Sequence, residues 1–322
     1  MSAALEAARA EGPKTHRLFG FPLHGSYAPF LHNTITRLAG VPRKYSKMEG
    51  KSDRLDEFLA YLRSDECAGS AVTMPHKVAI CQHLDELTQD GRNIGACNTV
   101  IVRKGPNGER ILVGHNTDSV GVREAFLRAD DSHVKSGKVR PGAVFGAGGA
   151  SRAAVYALTQ WLNCSPIYVV NRDDAEVEQF ISDFAKSSTA AFKPELVHVK
   201  TVEQAEGLDA PAYIVSAVPA FPPVTPEEKQ ARAVTVTLLN KEPKGTLLDM
   251  EYHGRGEGIK ELASGAGWGV IKGEIPMIWQ GIEQQRLWLG VEEKDLPVQE
   301  ILDTVARQVA SDKETGSQPP LE

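Results

Sequence analysis

The sequence contains no apolar run approaching the roughly 20 residues that a membrane-spanning helix requires, which excludes an integral helical membrane protein. Its first residues, M-S-A-A-L-E-A-A-R-A-E-G-P-K, carry Glu6 and Glu11 and no apolar core, so no secretory signal is expected there. They read as a helical turn or a disordered tail. Cysteine is scarce: Cys67, Cys81, Cys97 and Cys164 form no C-x-x-C pair, and their spacing fits no zinc site. Buried thiols in a reducing, cytoplasmic setting are the expectation. The nine histidines include no His-x-x-x-His pair, so no metal is expected. Lys and Arg number 36 against 42 Asp and Glu, for a net charge of −6, and they form no basic stripe. Nucleic acid and membrane are therefore not expected partners. What remains is an ordinary globular composition, 41% hydrophobic and 24% charged over 322 residues. That length suits about two domains.

The most informative stretch is V-F-G-A-G-G-A-S-R, Val144 to Arg152. Gly146 and Gly148 occupy the first two positions of G-x-G-x-x-[G/A], and Ser151, small but not glycine, takes the third. An apolar run, Ala143 to Phe145, leads in, and a helix-like run, Arg152 to Leu162, follows. One glycine permits a tight strand-to-helix turn, and the next lets backbone N–H groups approach a pyrophosphate at the helix N-terminus. Gly-rich turns of this kind also serve packing alone, so the neighbouring sequence has to decide.

The rest alternates. His16 to Pro22 predicts a first strand. The apolar positions Phe30, Leu31, Ile35 and Leu38 predict a helix from Pro29 closed by Gly40. Ser26, just before it, reads either as a capping hydroxyl or as a hydroxyl for a small carboxylate. Arg43 to Glu49 predicts a strand, Asp53 to Arg63 a helix, and Gly69 to Met74 a strand running into Pro75-His76-Lys77. A helix holding Val78, Ile80, Cys81 and Leu84 is expected next. It would put Lys77 in a first turn that disfavours cations, so Lys77 is either solvated or held for proton transfer or substrate contact. Strands at Ile94 to Arg103 and from Ile111, joined by Gly105 to Gly108, predict a hairpin. Asn98-Thr99 and Asn116-Thr117-Asp118 are polar clusters at strand ends, suited either to substrate groups or to Asx turns. The polar stretch Asp130 to Gly142 reads as the joint into a second domain. There, strands at Ala143, Pro166, Pro194, Tyr213 and Thr246 alternate with helices and imply a parallel sheet. The Pro-rich stretch Pro222 to Pro226 reads as a loop near the cofactor. Helices are expected around Met277 to Trp288 and over Pro297 to Val309.

Taken together, G-F-P-L-H-G-S-Y-A-P-F-L-H-N (20–33), A-V-T-M-P-H-K (71–77), G-A-C-N-T-V (95–100), G-H-N-T-D-S-V-G (114–121), G-A-G-G-A-S-R-A (146–153), N-R (171–172), D-M-E-Y (249–252) and Q-G (280–281) resemble the shikimate/quinate dehydrogenase family, in the family's order. The resemblance implies an α/β protein with an N-terminal α/β substrate-binding domain and a Rossmann-type dinucleotide-binding domain, with a cleft between them. The expected extents are 1–120, with helices at 276–311 packing back onto it, then 121–275, and a disordered tail at 312–322. It also implies reversible, NAD(P)-dependent oxidation of quinate or shikimate, small-molecule substrates, to the 3-dehydro ketone. By position, Lys77 and Asp118 resemble the pair at the reacting hydroxyl, and Ser26, Thr73, Asn98, Tyr252 and Gln280 resemble substrate contacts. Gly146, Ala147, Gly148, Gly149, Ala150, Ser151, Asn171, Arg172, Asp173, Val218 and Gly273 fall where the cofactor is held. The chain is expected to be a monomer or homodimer.

The sequence also departs from the family. Ala28 stands where a second carboxylate-binding serine is expected, removing a hydrogen bond to a charged group worth about 1.5–3 kcal/mol. A looser shikimate site or room for a bulkier ring follows, and the lean is to quinate. A different cyclic acid, or a non-catalytic ligand sensor, are the alternatives. Gly25, not His24, precedes Ser26, and H-G-R-G-E-G after Tyr252 lacks the expected prolines. For the cofactor, Arg172 suits a 2′-phosphate, whereas Asp173 and Asp174 repel one, so NAD is expected to be preferred over NADP or both to be used.

Overall fold

The structure is a computed structural model that describes residues 2–187, 189, 191–251 and 258–319. The chain divides into two compact units, Met1–Arg92 with Ala96–Thr117 and Met277–Glu322, and Asn93–Gly95 with Asp118–Pro276. Each holds one six-stranded sheet, in line with the expected fold class.

The first unit contains β1 (Lys14–Gly20), β2 (Arg43–Glu49), β3 (Cys67–Val72), β4 (Glu86–Leu87), β5 (Thr99–Lys104) and β6 (Arg110–His115), in spatial order β2-β1-β3-β5-β6-β4. β1 runs parallel to β2 and β3, while β5 is antiparallel to β3 and β6. The helix Ala28–Ala39 starts with Pro29 in its first turn, where a missing N–H costs nothing, and stops at Gly40 in the left-handed region (φ 68°). Phe19, Phe58, Leu62, Val72, Val100 and Leu112 close one side of the sheet as a dry cluster, with the Phe19 and Phe58 rings stacked at 4.3 Å.

The second unit contains β7 (Arg140–Phe145), β8 (Cys164–Val170), β9 (Leu196–His198), β10 (Tyr213–Ser216), β11 (Thr246–Asp249) and β12 (Gly269–Lys272), all parallel, in order β12-β11-β10-β7-β8-β9. β10 and β11 are buried along their whole length, as strands covered on both faces must be. From β7 the chain first builds outward through β8 and β9, then returns to the other side for β10 to β12. The order therefore reverses between β7 and β10, which is where open α/β sheets bind ligands.

Several expectations are corrected. No α-helix follows Lys77. Only a five-residue 3-10 turn, Ala79–His83, fits before β4, with Ile80 buried and Val78 exposed, so the dipole argument does not apply to Lys77. Of the two readings of the N-terminal residues the helical one holds: Ala3–Ala10 is a helix capped by Ser2 and tied down where Arg9 Nε donates to the Ala39 carbonyl at 2.8 Å. The last helix runs Val298–Thr315, past the expected start of a tail at 312, because Asp312 is buried and Gly316 (φ 68°) supplies the stop. The units part at Thr117/Asp118 rather than in the polar stretch 130–142, which holds a short helix of the second unit, Ser132–Lys135. Residues 222–225 are the expected loop, and only Pro226 departs from it, opening the helix Pro226–Leu239 with a Thr225–Glu228 capping box. Among the described residues no helix is long and apolar enough to cross a membrane.

Candidate active site

In the first unit two of the expected substrate-contacting residues, Asn98 and Gln280, meet in one hydrogen-bonded cluster. Asn98, ending the segment before β5, donates through Nδ2 to Thr117 Oγ1 (3.0 Å) and to Gln280 Oε1 (3.2 Å). Its own Oδ1 accepts from the Thr117 N–H (2.8 Å) and from Thr99 Oγ1 (2.7 Å). Gln284, one helical turn beyond Gln280, donates to the Asn98 carbonyl (3.2 Å) and Thr99 Oγ1 (2.9 Å). Asn98, Thr99, Thr117 and Gln284 are all buried. A polar group held on both its donor and acceptor sides has its rotamer fixed, so Asn98 presents one orientation to anything that binds. Thr99 and Thr117 lie in the polar clusters that the sequence singles out, whereas Gln284, which holds Asn98 and Thr99, was missed. The signal was present, since Gln280 and Gln284 at i, i+4 share a helix face.

Lys77 sits in the turn after β3. Its carbonyl accepts the Cys97 N–H at 2.7 Å, which joins the Lys77 turn to the segment bearing Asn98. Thr73, four residues earlier, is held by its N–H donating to the Phe19 carbonyl at 2.8 Å. This loop packs against Gly20 so closely that a Cβ there would lie 2.3 Å from Thr73 Cγ2 and 2.7 Å from the Met74 carbonyl oxygen. Gly20 is thus a second missed residue, needed for backbone approach rather than for a turn. Ser26 Oγ accepts the Ala28 N–H at 3.3 Å from one position ahead of the N-cap Tyr27, a local turn contact rather than a cap, and its side chain is partly exposed. Ala28 is packed with Leu18, Leu23, Tyr45, Ala71 and Trp288. A methyl fits that apolar cluster where a hydroxyl would lose hydration. Tyr252 lies outside the described residues.

Asp118 opens the second unit as the first residue of the helix Asp118–Ala129 and is buried. In the same unit the Gly-rich turn has the geometry a dinucleotide needs. Gly146 has φ 105°, and a Cβ there would lie 3.2–3.3 Å from Ala217 O, Ser151 Oγ and Val218 Cγ1. Gly148 is the extended N-cap of the helix Gly149–Gln160, and a Cβ there would meet nothing within 4 Å. Open space therefore faces the first N–H groups of the helix, at Gly149, Ala150 and Ser151. The Ser151 hydroxyl is buried without a partner among the described residues. Gly273 lies where a Cβ would come within 2.8 Å of the Asp249 and Met250 carbonyls. These features fit a pyrophosphate on the helix terminus.

After β8 lies a cavity of about 730 Å³ lined by Asn171, Arg172, Asp173, Lys200, Thr225 and Glu228, among others. Arg172 is ion-paired with Glu228, whose other oxygen accepts the Val224 and Thr225 N–H groups at 2.8 and 3.1 Å. Asp173 Oδ1 accepts the Ala175 and Glu176 N–H groups (2.9 and 3.2 Å), starting the helix Asp174–Ser187. Asn171 donates to Glu176 at 2.7 Å. Lys200 is held by Asp174 and Glu178. Glu228 was not anticipated, although its T-P-E-E capping box is legible. Among the described residues no cluster of His, Cys, Asp and Glu could hold a metal.

Asp249, at the end of β11, is another unanticipated titratable group. It is buried, and burial pushes its carboxyl up to about 6 against the pull of the Glu251 N–H and the Lys260 charge. A carboxyl whose folded pKa lies above its unfolded value near 3.8 costs stability once ionised. Asp249→Asn, which keeps an acceptor for Glu251, is therefore expected to stabilise the protein by up to about 3 kcal/mol at pH 8. The gain should vanish below pH ~4, where the carboxyl is protonated folded or unfolded. Urea melts of the two proteins at both pH values check this; equal stability at pH 8 contradicts it.

Comparison with known proteins gives one consistent answer. Residues 18–100 match the family described as "Shikimate dehydrogenase substrate binding domain". A quinate dehydrogenase of Emericella nidulans is 39% identical over 308 residues, covering 91% of this chain and 93% of that protein. The dehydroquinate dehydratase and shikimate dehydrogenase portion of S. pombe AroM superposes with a TM-score of 0.72 at 28% identity, over 94% of this chain and 56% of that one. A shikimate 5-dehydrogenase from Listeria monocytogenes, solved with shikimate and NAD, shares the fold (TM-score 0.70, 24% identity, 91% and 96% coverage). The chain belongs to the shikimate/quinate dehydrogenase family of NAD(P)-dependent oxidoreductases.

Proposed function

We propose that this protein oxidises the ring alcohol of quinate reversibly to the 3-dehydro ketone, with shikimate as the poorer substrate and NAD as the preferred cofactor. The observation that carries this reading is the fixed Asn98–Thr117–Gln280 cluster in a chain 39% identical to a quinate dehydrogenase. Asn98 and Gln280 bind ring hydroxyls, and Ser26 with Thr73 binds the carboxylate side. Ala28 favours quinate because the hydroxyl of a second carboxylate-binding serine is missing, and the tertiary hydroxyl of quinate supplies a polar group of its own on the carboxylate side. Lys77 and Asp118 hold or move the proton that the reacting hydroxyl gives up. The nicotinamide, when bound, supplies the hydride acceptor. Gly146 to Ser151 hold the pyrophosphate, beside Val218 and Gly273. The protein works as a monomer or homodimer on a small-molecule substrate.

The preference for NAD rests on charge. Glu228 neutralises Arg172, Asp173 and Asp174 stand beside it, and Lys200 is engaged by Asp174 and Glu178. A 2′-phosphate placed there meets net negative charge. A rate matrix of quinate and shikimate against NAD and NADP tests the whole reading. The highest kcat/KM is expected for quinate with NAD, and a matrix dominated by shikimate with NADP overturns it. Asp173→Asn combined with Glu228→Gln should raise kcat/KM for NADP on the order of tenfold while leaving NAD nearly unchanged.

A further inference from the structure

Two of the four thiols face each other beside the lysine turn. Cys81 Sγ lies 3.4 Å from Cys97 Sγ and 3.6 Å from the Lys77 carbonyl oxygen, the same oxygen that accepts the Cys97 N–H. Cys97 is fully buried and directly precedes Asn98, whereas Cys81, on the short 3-10 turn, is partly exposed. The expectation of four uniformly buried thiols thus fails at one position, and that position is the one in contact with a second sulfur. Cys97 Sγ is also wedged from behind, since a Cβ on Gly114 would lie 2.7 Å from it. Of the pair, the partly exposed sulfur is the one a small oxidant reaches.

We propose that Cys81 and Cys97 form a peroxide-sensitive dithiol that closes to a disulfide and switches the Lys77 turn off. The first step is attack of the Cys81 thiolate on one oxygen of hydrogen peroxide. The O–O bond breaks, the sulfur takes an OH to become a sulfenic acid, and the departing hydroxide takes up a proton as water. Cys97 then attacks the Cys81 sulfur. The S–S bond forms, the S–O bond breaks, and hydroxide leaves with the Cys97 proton as a second water. Two thiols lose two electrons and one peroxide becomes two waters. Exposure sets the order: the partly exposed Cys81 meets the oxidant and attacks first, and the buried Cys97, 3.4 Å away, is placed to resolve it. Closing the bond ties the Cys81 turn covalently to the Cys97 segment, and both residues hydrogen-bond the same Lys77 carbonyl, so the crosslink bears directly on the Lys77 turn. Transient disulfides of this kind are the sort found in reducing compartments.

The dithiol stands on geometry alone; its effect on turnover rests on the role proposed for Lys77. The test treats the whole protein with hydrogen peroxide and reads both. Peptide mass spectrometry should find Cys81 joined to Cys97 with the loss of two hydrogen atoms. Turnover should fall with the crosslinked fraction, on the order of 100-fold at completion as expected for a displacement near 1 Å. Dithiothreitol should restore both. Cys81→Ser, with Cys81→Ala as the alternative should it fold poorly, should keep untreated turnover and lose little under peroxide. Absence of the crosslink while Cys67 or Cys164 is oxidised overturns the dithiol. A complete crosslink with unchanged turnover overturns the switch. A protein that turns over neither acid still yields the crosslink, so failure of the proposed activity is read separately.

Discussion

Lys77→Ala is expected to lower kcat for quinate about 10²- to 10⁴-fold, the usual weight of a positioned acid or base. KM should change far less, because Asn98, Thr117 and Gln280 hydrogen-bond one another. Oxidising an alcohol requires its O–H proton to leave as the hydride does, and Lys77 is the group proposed above to hold or take that proton. Its turn is anchored through backbone, by Cys97 N–H to the Lys77 carbonyl and by His76 N–H to the Thr73 carbonyl at 2.9 Å, so removing the side chain leaves the turn in place. Steady-state kinetics check the prediction, and a kcat within tenfold of the parent removes Lys77 from the chemistry. Lys77→Arg separates two roles. An arginine keeps the cation and cannot give up a proton, so retained turnover marks Lys77 as an electrostatic anchor, and loss comparable to alanine marks it as the proton acceptor.

The features legible in the sequence were those set by local rules. Arg43–Glu49 is a strand at both predicted ends, and the helix from Pro29 is closed by Gly40, because the signals were an apolar period and a glycine stop. The Gly-rich turn read correctly for the same reason: Gly146 has the left-handed φ its position demands. The helix after Lys77 misread because four apolar residues at helical spacing were weighed without the length available before β4. Asp173 was read by its charge, yet its oxygen starts a helix, which sequence does not separate from a ribose contact. Gln284 escaped notice because its contact with Thr99 exists only after residues nearly 190 positions apart are folded together. Asp249 was quoted within a motif, but its raised pKa comes from burial, a property of the sheet rather than of the neighbouring residues.

Acid should unfold this protein sooner than carboxylate protonation alone explains. His16 and His32 are completely buried in the first unit, His16 stacked on Trp288 at 4.3 Å and His32 on Tyr45 at 4.2 Å. Burial pulls both imidazoles down to about 3, with the Arg43 cation and His32 adding to the effect on His16. In the unfolded chain both titrate near 6.5. A depressed folded pKa means that the unfolded state binds the proton first, so stability is full above pH 6.5 and is lost as pH falls toward 3. Each histidine costs about 1.4 kcal/mol per pH unit within that window, and the pair about 5 kcal/mol between pH 7 and pH 4.5. That is a large part of the 5–15 kcal/mol that typically holds a domain folded. His115, His133 and His198 are shifted the same way and steepen the slope, so single variants are needed to apportion it. His32→Gln should reduce the dependence of unfolding free energy on pH between 6 and 5 by about one proton, whatever it does to stability at pH 7. The direct observation is by NMR: in the folded protein the His16 and His32 ring resonances should stay put from pH 7 to pH 5, and a midpoint near 6.5 for either would end the argument for that residue.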